Sequence, residues 1–246
     1  MKLLIDFGNT RCKWVLIVEN EWQSVNSFAH HGQNIIEAMH KHLPLKEVHE
    51  IHIVSVLGDA FETDCQRTLE DIVSCNFYHS QADAHSIQLA YATPTSYGAD
   101  RFAALVAAHQ HGSGDKIIVD CGTALTIDVL KHSGQHLGGL IIPGMTMMCD
   151  SLCKQTANLM IDENPTEARL LAGNTKEAVY SGTVMLANYG LLGIIQQLQE
   201  DLDQAKIILT GGEANKMFTL DSIDINHKPN LVLEGLEFMV ASGSVN

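Results

Sequence analysis

Two short stretches of the sequence carry a pattern that can bind phosphate groups. Residues 4–10 read Leu-Ile-Asp-Phe-Gly-Asn-Thr, and residues 118–124 read Ile-Val-Asp-Cys-Gly-Thr-Ala. Each apolar run predicts a buried strand, and the glycine after it permits a tight turn that can lie close to a ligand. The Asn and Thr side chains can donate hydrogen bonds to phosphate oxygens, and the neighbouring Asp can hold a cation. One copy alone fits an ordinary turn equally well, whereas two copies with the same flanks favour two halves that face one nucleotide.

A third candidate group is the sequence Gly98-Ala99-Asp100-Arg101. It precedes residues 101–111, whose many alanines predict a helix. Two interpretations stay open from these residues alone. Asp100 can be the N-cap of this helix with Arg101 as its surface partner, because Asp is a preferred N-cap residue. Alternatively, Asp100 is a general base that accepts a proton from a reacting hydroxyl group.

Strand-like and helical patterns alternate along the chain and must position these residues. The clearest break is at residues 111–115, after which the pattern begins again with a hairpin, as it began at the N-terminus. We therefore predict an α/β protein with mixed sheets and two related domains, residues 1–114 and 115–246. The predicted strands are 2–6, 14–19, 50–56, 75–78, 116–119, 125–130 and 205–209, and the predicted helices are 34–42, 61–73, 101–111 and 174–199, the last interrupted near Gly190 or Gly193.

The composition restricts the partners of the protein. The formal net charge is −14, from 29 acidic and 15 basic residues among 246. Such a surface repels nucleic acids and anionic lipids, so we expect neither a nucleic-acid partner nor a membrane partner. The chain begins directly with a predicted strand rather than with a signal peptide, and no apolar run reaches membrane-spanning length. We therefore expect a cytoplasmic protein.

Five motifs, in this order along nearly the whole chain, resemble those of the type III pantothenate kinase family. They are Asp6-Phe7-Gly8-Asn9-Thr10-Arg11, Tyr97-Gly98-Ala99-Asp100-Arg101, Asp120-Cys121-Gly122-Thr123-Ala124-Leu125-Thr126-Ile127-Asp128, Gly138-Gly139-Leu140-Ile141-Ile142-Pro143-Gly144 and Gly173-Asn174-Thr175-Lys176-Glu177-Ala178. The resemblance implies the actin-like ATPase (ribonuclease H-like) fold, with two related domains and a nucleotide cleft, in a homodimer. It also implies ATP-dependent phosphorylation of pantothenate to 4'-phosphopantothenate, the first step of coenzyme A biosynthesis.

The resemblance also implies roles for individual residues. Those implied to bind ATP are Asp6, Phe7, Gly8, Asn9, Thr10, Arg11, Cys12, Lys13 and Thr123, and those implied to bind pantothenate are Tyr91, Gly98, Ala99, Asp100, Arg101 and Thr175. Asp100 is implied as the general base, and Arg101 as a second catalytic residue that donates hydrogen bonds to substrate or phosphate oxygens. Asp6 would hold Mg²⁺, and Asp120 would help to hold a monovalent cation, K⁺ or NH₄⁺. Phosphoryl transfer needs this kind of positioning and charge neutralisation rather than covalent help.

Several of these residues also have simpler interpretations. Lys13 fits an exposed hairpin lysine, Tyr91 a loop anchor, Thr175 a helix cap and Asp120 a turn carboxylate. One segment departs from the family, which commonly has Thr-Ala-x-Leu-Pro where this chain has Thr156-Ala157-Asn158-Leu159-Met160.

Two other functions fit the same fold: a non-catalytic transcriptional accessory protein, and a kinase of another small hydroxyl substrate. The first is disfavoured because Asp100 and Asp120 are both present and the chain is acidic. The second is disfavoured because such kinases are usually longer and lack Gly-Ala-Asp-Arg at this position. The polar loop 79–97 has little apolar material to enclose a substrate. We therefore expect a two-fold homodimer in which the partner's helical region 174–199 completes the pantothenate pocket, with Thr175 reaching across the interface.

Overall fold

The first predicted strand lies at the centre of a mixed sheet. The structure is a computed structural model, and it describes residues 1–30, 34–155, 168–202, 204–217 and 223–243. The strand order is β3-β2-β1-β5-β6, with β4 paired to β2. Strand β1 is antiparallel to β2 and parallel to β5. The bounds of these strands are β1 Lys2–Phe7, β2 Arg11–Val18, β3 Glu21–Trp22, β4 Asn26–Ala29, β5 Glu50–Ser55 and β6 Ser74–Tyr78.

Both faces of this sheet are covered by helices. The alternate residues Leu3, Ile5 and Phe7 of β1 pack in one core with α1 (Ile35–His42) and α2 (Asp59–Leu69). Leu4 points to the opposite face and is also fully buried. Helices α3 (Ala99–Gln110) and α6 (Leu231–Ala241) contact each other as well as β1 and β5, and therefore cover that face. Between β6 and α3 lie the short strands β7 Asp83–Ala84 and β8 Ile87–Gln88 and the 3₁₀ turn Pro94–Ser96.

The second sheet repeats the arrangement of the first around its own first strand. Its strand order is β11-β10-β9-β12-β13. Strand β9 is antiparallel to β10 and parallel to β12, as β1 is to β2 and β5. The predicted α/β class with mixed sheets is thus confirmed. The bounds are β9 Lys116–Cys121, β10 Ala124–Leu130, β11 His136–Pro143, α4 Met145–Gln155, α5 Thr175–Asp201, β12 Lys206–Thr210, a 3₁₀ turn Ala214–Lys216 and β13 Ile225–His227.

The chain divides into two compact units. The first unit comprises Met1–Gly112, Ser133–His136 and Asn230–Asn246, and the second comprises Ser113–His132 and Leu137–Pro229. The division between Gly112 and Ser113 lies next to the predicted boundary. The C-terminal segment was predicted within the second domain, whereas α6 packs on α3 of the first unit.

Helix α5 runs without a break from Thr175 to Asp201, so the predicted interruption near Gly190 or Gly193 is wrong. A helical glycine costs only about 1 kcal/mol relative to alanine, and burial of Leu191 and Ile195 in the core of the second unit offsets this cost. Among the described residues, α5 alone is long and apolar enough by length and composition to cross a membrane, with 39% of its most apolar window buried. One such helix is weak evidence for a membrane span, since core helices of soluble proteins have the same length and apolar composition.

We predict that Gly235→Ala destabilises the first unit. A Cβ atom at Gly235 of α6 would overlap the backbone carbonyl of Ala103 in α3. The two helices would have to move apart, and we expect a loss of about 3 kcal/mol in the free energy of unfolding. Gly193→Ala is the matched control, because no atom lies within 4 Å of a Cβ there. Urea denaturation should show about 0.5–1 kcal/mol of stabilisation for this control, and equal stability of the two variants would contradict the close packing.

Candidate active site

The first predicted phosphate-binding turn connects β1 to β2. The Gly8 amide donates a hydrogen bond to the Arg11 carbonyl at 3.1 Å, which closes a four-residue turn. Asp6 and Lys13 are direct cross-strand partners, so their side chains extend from the same face of the hairpin. Both side chains are half-buried, so Lys13 lies on the hairpin but is less exposed than the simpler interpretation expected. An acidic and a basic side chain thus flank the turn on one face.

Two residues of the predicted ATP-binding segment have buried side chains. Phe7 and Cys12 are both fully inaccessible in the core of the first unit. Burial and the nearby Asp6 carboxylate raise the pKa of the Cys12 thiol, which therefore stays protonated. Any contact of these two residues with a nucleotide would come from the backbone. Arg11 is exposed, and its Nη1 donates to Ser27 Oγ at 3.2 Å.

His30 contacts the same turn, although no sequence motif pointed to it. Its Nε2 lies 2.9 Å from the Gly8 carbonyl oxygen, and its backbone N–H donates to the Thr10 carbonyl at 3.2 Å. The side chain is 4% exposed. The only signal in the sequence is the position of His30 at the end of β4, which is not a pattern that indicates a functional residue.

The second predicted phosphate-binding turn connects β9 to β10. The Gly122 amide donates to the Ala124 carbonyl at 3.1 Å, and the Gly144 amide donates to the Thr123 carbonyl at 3.0 Å. A Cβ atom at Gly144 would overlap the Thr123 carbonyl. Only glycine lets the segment after β11 approach Thr123 this closely, which explains the glycine that ends the fourth motif.

Carboxylates surround the end of β9. A Cβ atom at Gly211, whose φ is +96°, would lie 2.5 Å from Oδ1 of Asp120, so the turn after β12 packs directly on this carboxylate. The Glu213 amide donates to the Cys121 carbonyl at 2.8 Å. Burial, together with the charges of Asp120 and Glu213, raises the pKa of the Cys121 thiol. Two carboxylates thus lie near the end of β9.

Glu213 was not predicted as a site residue. Its Oε1 accepts hydrogen bonds from Thr146 Oγ1 at 2.6 Å and from Lys216 Nζ at 3.0 Å. These bonds hold the carboxylate beside the second turn. The only sequence signal near Glu213 was the preceding Gly211-Gly212 pair, which indicates a turn. It does not indicate that Glu213 lies next to Cys121.

Asp100 lies in the first turn of α3, but it is not the N-cap. Gly98 occupies the N-cap position, and its backbone approaches the carboxylate so closely that a Cβ atom there would lie 2.6 Å from Asp100 Oδ1. The Arg101 amide donates to the same Oδ1 at 2.7 Å. The capping interpretation is therefore wrong. The positive end of the helix dipole favours the ionised carboxylate, the form that accepts protons.

Arg101 is buried among aromatic rings rather than paired on the surface. Its guanidinium carbon lies 4.5 Å from the centre of the Tyr97 ring and 5.9 Å from that of Tyr91. Its Nη1 also lies 3.5 Å from the Tyr91 hydroxyl. The two tyrosine rings pack edge to face at 4.9 Å. The structure thus brings Tyr91 next to the third candidate group, where it contacts Arg101.

Two further residues support this aromatic group. The His136 ring is 1% exposed and lies parallel to Tyr91, 6.2 Å away, and 5.2 Å from Tyr97. The Ser80 hydroxyl is 2.7 Å from both the Pro94 and the Tyr97 carbonyls and fixes the loop that carries the tyrosines. Neither residue was predicted. The contacts of His136 are with tyrosines about 40 residues earlier in the sequence, and Ser80 is one of many polar residues in the loop 79–97.

Thr175 is the first residue of α5, and Asn174 before it is the N-cap of this helix. The Asn174 side chain accepts a hydrogen bond from the Glu177 amide at 3.0 Å, so the interpretation of Thr175 as a cap is wrong. Thr175 lines an apolar groove of about 680 Å³ in the second unit. The groove extends along α4 and α5 and reaches Pro143, the residue before Gly144; its apolar lining includes Met147, Met148, Leu152, Ala178, Val179 and Leu186.

The acidic residues fit the cations that the family resemblance implies. Among the described residues, no group of three or more His, Cys, Asp or Glu side chains forms a complete metal site. Mg²⁺ is usually held by one or two carboxylates plus substrate phosphates, which suits Asp6 beside a phosphate-binding turn. The Asp120 carboxylate at the second turn is an oxygen ligand of the kind that hard cations take. The segment that departs from the family, Thr156 to Met160, lies outside the described residues.

Comparisons of the sequence give one consistent result. The family model of type III pantothenate kinases matches residues 2–200. The type III pantothenate kinase of Nitrosococcus oceani is 32% identical in an alignment of 249 positions that covers 96% of this chain and 92% of that protein. That of Alcanivorax borkumensis is 31% identical and covers 98% and 99% of the two chains.

Solved structures with similar folds have more diverse descriptions. A Campylobacter jejuni protein described as a Baf family transcriptional activator has a TM-score of 0.62 at 18% identity, with 98% of each chain covered. A Sinorhizobium meliloti protein described as a 2-dehydro-3-deoxygalactonokinase has a TM-score of 0.60 at 15% identity, with 99% and 97% covered. At such low identity these likenesses show the fold alone, and they confirm the predicted actin-like ATPase fold.

Proposed function

Because this chain belongs to the type III pantothenate kinase family, we propose that it transfers the terminal phosphate of ATP to the primary hydroxyl group of pantothenate, the first step of coenzyme A biosynthesis. The observation that carries this proposal is the placement of Asp100 and Arg101 beside Tyr91 at the start of α3. A test is steady-state release of ADP with pantothenate and with a panel of sugars, where only pantothenate should support turnover.

Asp100 is the proposed general base. Its carboxylate accepts the proton of the pantothenate hydroxyl as the new P–O bond forms, and the bond from phosphorus to the ADP oxygen breaks. A positioned base contributes about 10²–10⁴-fold to the rate. Arg101 supplies a fork of donors to pantothenate or phosphate oxygens, and the Tyr97 and Tyr91 rings restrict its guanidinium before substrate arrives.

The two duplicated turns are the proposed phosphate-binding elements. In the first unit, Asn9 and Thr10 and the amides near Gly8 bind ATP phosphates, and Lys13 neutralises part of their charge. In the second unit, Thr123 has the same role. Mg²⁺ held at Asp6 would neutralise the charge that develops on the phosphates, and K⁺ or NH₄⁺ held at Asp120 would add a second positive charge.

We also propose a homodimer in the cytoplasm. Several large apolar side chains of the second unit are exposed, among them Ile141 at 64% and Leu186 at 67%. They lie on β11 and α5, next to the apolar groove that Thr175 lines. Exposed apolar surface of this kind marks interaction sites, and most homo-oligomers are two-fold dimers. The partner's Thr175 would then complete the pantothenate pocket that contains Asp100.

Mixing two inactive variants should restore activity if the site is shared. In a mixture of Asp100→Asn and Thr175→Arg subunits, each heterodimer has one pocket with both residues intact. Free exchange at equal concentrations makes about half of the dimers mixed, so we expect about a quarter of the wild-type activity. Thr63→Arg, at an exposed position of α2, is the control and should stay active alone.

Two results would contradict this shared pocket. One is a monomer by light scattering at the assay concentration. The other is no recovery of activity although mass spectrometry of differently labelled subunits confirms that they have exchanged.

A further inference from the structure

His30 makes two hydrogen bonds to the turn between β1 and β2, and none of the roles assigned above includes it. The ring approaches the Gly8 carbonyl at 2.9 Å, and the backbone N–H donates to the Thr10 carbonyl at 3.2 Å. A carbonyl oxygen only accepts hydrogen bonds, so Nε2 must carry a proton and donate it. The Phe7 ring, whose centre is 5.6 Å from that of His30, packs beside the imidazole. The turn is therefore held from one side.

The peptide geometry determines where the amides of this turn point. In a trans peptide the C=O and the following N–H lie in one plane and point in opposite directions. The Gly8 carbonyl points towards the His30 ring, so the Asn9 N–H points away from it. The Thr10 carbonyl points towards the His30 backbone, so the Arg11 N–H also points away from His30. Each of these two amide donors is thus directed away from the His30 group that holds its peptide.

Amide donors that are already oriented favour anion binding in this chain. With a net charge of −14, the protein as a whole repels an anion, and binding must come from local donors. A turn of Gly8, Asn9 and Thr10 that was free to rotate its peptides would lose conformational entropy when an anion ordered it. A turn that is already ordered loses less and binds more tightly.

We propose that His30 is a positioning residue that orients the amides of Asn9 and Arg11 toward the oxyanion of a nucleoside triphosphate. The proposal rests on the function proposed above for this turn. It assigns to His30 an effect on nucleotide affinity and none on pantothenate affinity, because its hydrogen bonds and its ring contact within the described part of the chain are with the first turn and with Phe7.

The test compares His30→Leu, which removes the ring donor, with His30→Gln, whose side-chain amide can still donate to Gly8. Calorimetry with the non-hydrolysable nucleotide Mg–AMPPNP should show about tenfold weaker binding for His30→Leu and a change of less than about threefold for His30→Gln. KM for ATP should follow the same order, while KM for pantothenate stays unchanged. His49→Leu, at an exposed position, should bind like the wild type.

A second measurement does not depend on any variant. In ¹H–¹⁵N spectra of the wild-type protein, the Asn9 and Arg11 amide signals should shift downfield when Mg–AMPPNP is added. Absence of these shifts, unchanged affinity of a folded His30→Leu protein, or equal losses in the Leu and Gln variants would each overturn the role of His30. If the wild-type protein binds no nucleotide, the proposed function fails as well. If the wild-type protein binds nucleotide but the variants show no difference, only the role of His30 fails.

Discussion

Asp100→Asn should lower kcat by a factor of about 100 or more, because asparagine keeps the shape of the side chain but cannot accept the hydroxyl proton. The carboxylate lies in the first turn of α3, held by the Arg101 amide at 2.7 Å beside the aromatic group around Arg101. An asparagine oxygen can accept the same amide hydrogen bond, so the local backbone should persist. Initial rates with saturating ATP and pantothenate measure the effect.

Loss of a charge at a helix N-terminus also changes stability, and this effect has to be separated from catalysis. Asp59→Asn is a matched control. Asp59 lies in the first turn of α2, whose N-cap is also a glycine without a side-chain capping bond. Both substitutions should reduce stability by about 0.3–1 kcal/mol through the helix dipole. Only Asp100→Asn should reduce turnover, and near wild-type turnover in that variant would remove Asp100 from the mechanism.

Replacing K⁺ by Na⁺ should reduce activity about tenfold or more if Asp120 holds a monovalent cation beside the phosphates, since each 1.4 kcal/mol of lost stabilisation is a factor of ten. The Asp120 carboxylate lies at the end of β9, where the turn after β12 packs directly on it. The smaller, more strongly hydrated Na⁺ should replace K⁺ poorly. Rates measured across a titration of each salt at constant ionic strength test this expectation.

Asp120→Ala should be slow and, in addition, indifferent to the choice of salt. Asp201→Ala removes an exposed carboxylate at the end of α5 in the same unit and should keep the response to K⁺. Equal activity of the wild-type protein in K⁺ and Na⁺ would rule out the cation site. A full K⁺ response in Asp120→Ala would place that site elsewhere.

The strands that carry the two turns were predictable because their signal is local. Continuous apolar runs at the start of β1 and β9 indicate buried strands, and Gly8 and Gly122 mark their ends. The duplicated motif then implied duplicated topology, which the pairing of β1 with β2 and β5, and of β9 with β10 and β12, confirms.

Helix α6 escaped prediction because its amphipathic pattern is weak. Residues 231–241 have only two charged residues, Glu234 and Glu237, and they include Gly235, which is unfavourable inside a helix. The helix is stabilised by burial against α3, where Gly235 lies against Ala103. The packing of α6 on α3 of the first unit is a tertiary contact, which local sequence patterns do not indicate.

The candidate site shows the same contrast between local and tertiary information. Asp100, Arg101 and Tyr91 could be proposed because a short motif and a family resemblance contain them. His30 and His136 could not, since each acts through contacts with residues more than twenty positions away in sequence. A histidine in an isolated sequence gives no sign of whether its ring is buried, or against what.

The most direct test of the central claim is the identity of the reaction product. The wild-type protein is incubated with ATP, Mg²⁺, K⁺ and pantothenate, and ³¹P NMR and mass spectrometry follow the phosphorus. The account predicts one phosphate monoester on the primary hydroxyl of pantothenate for each ADP released, and about 100-fold less product or lower still with Asp100→Asn in the same time. ATP left intact in the presence of pantothenate, or phosphate transferred only to a sugar or to water, would contradict it.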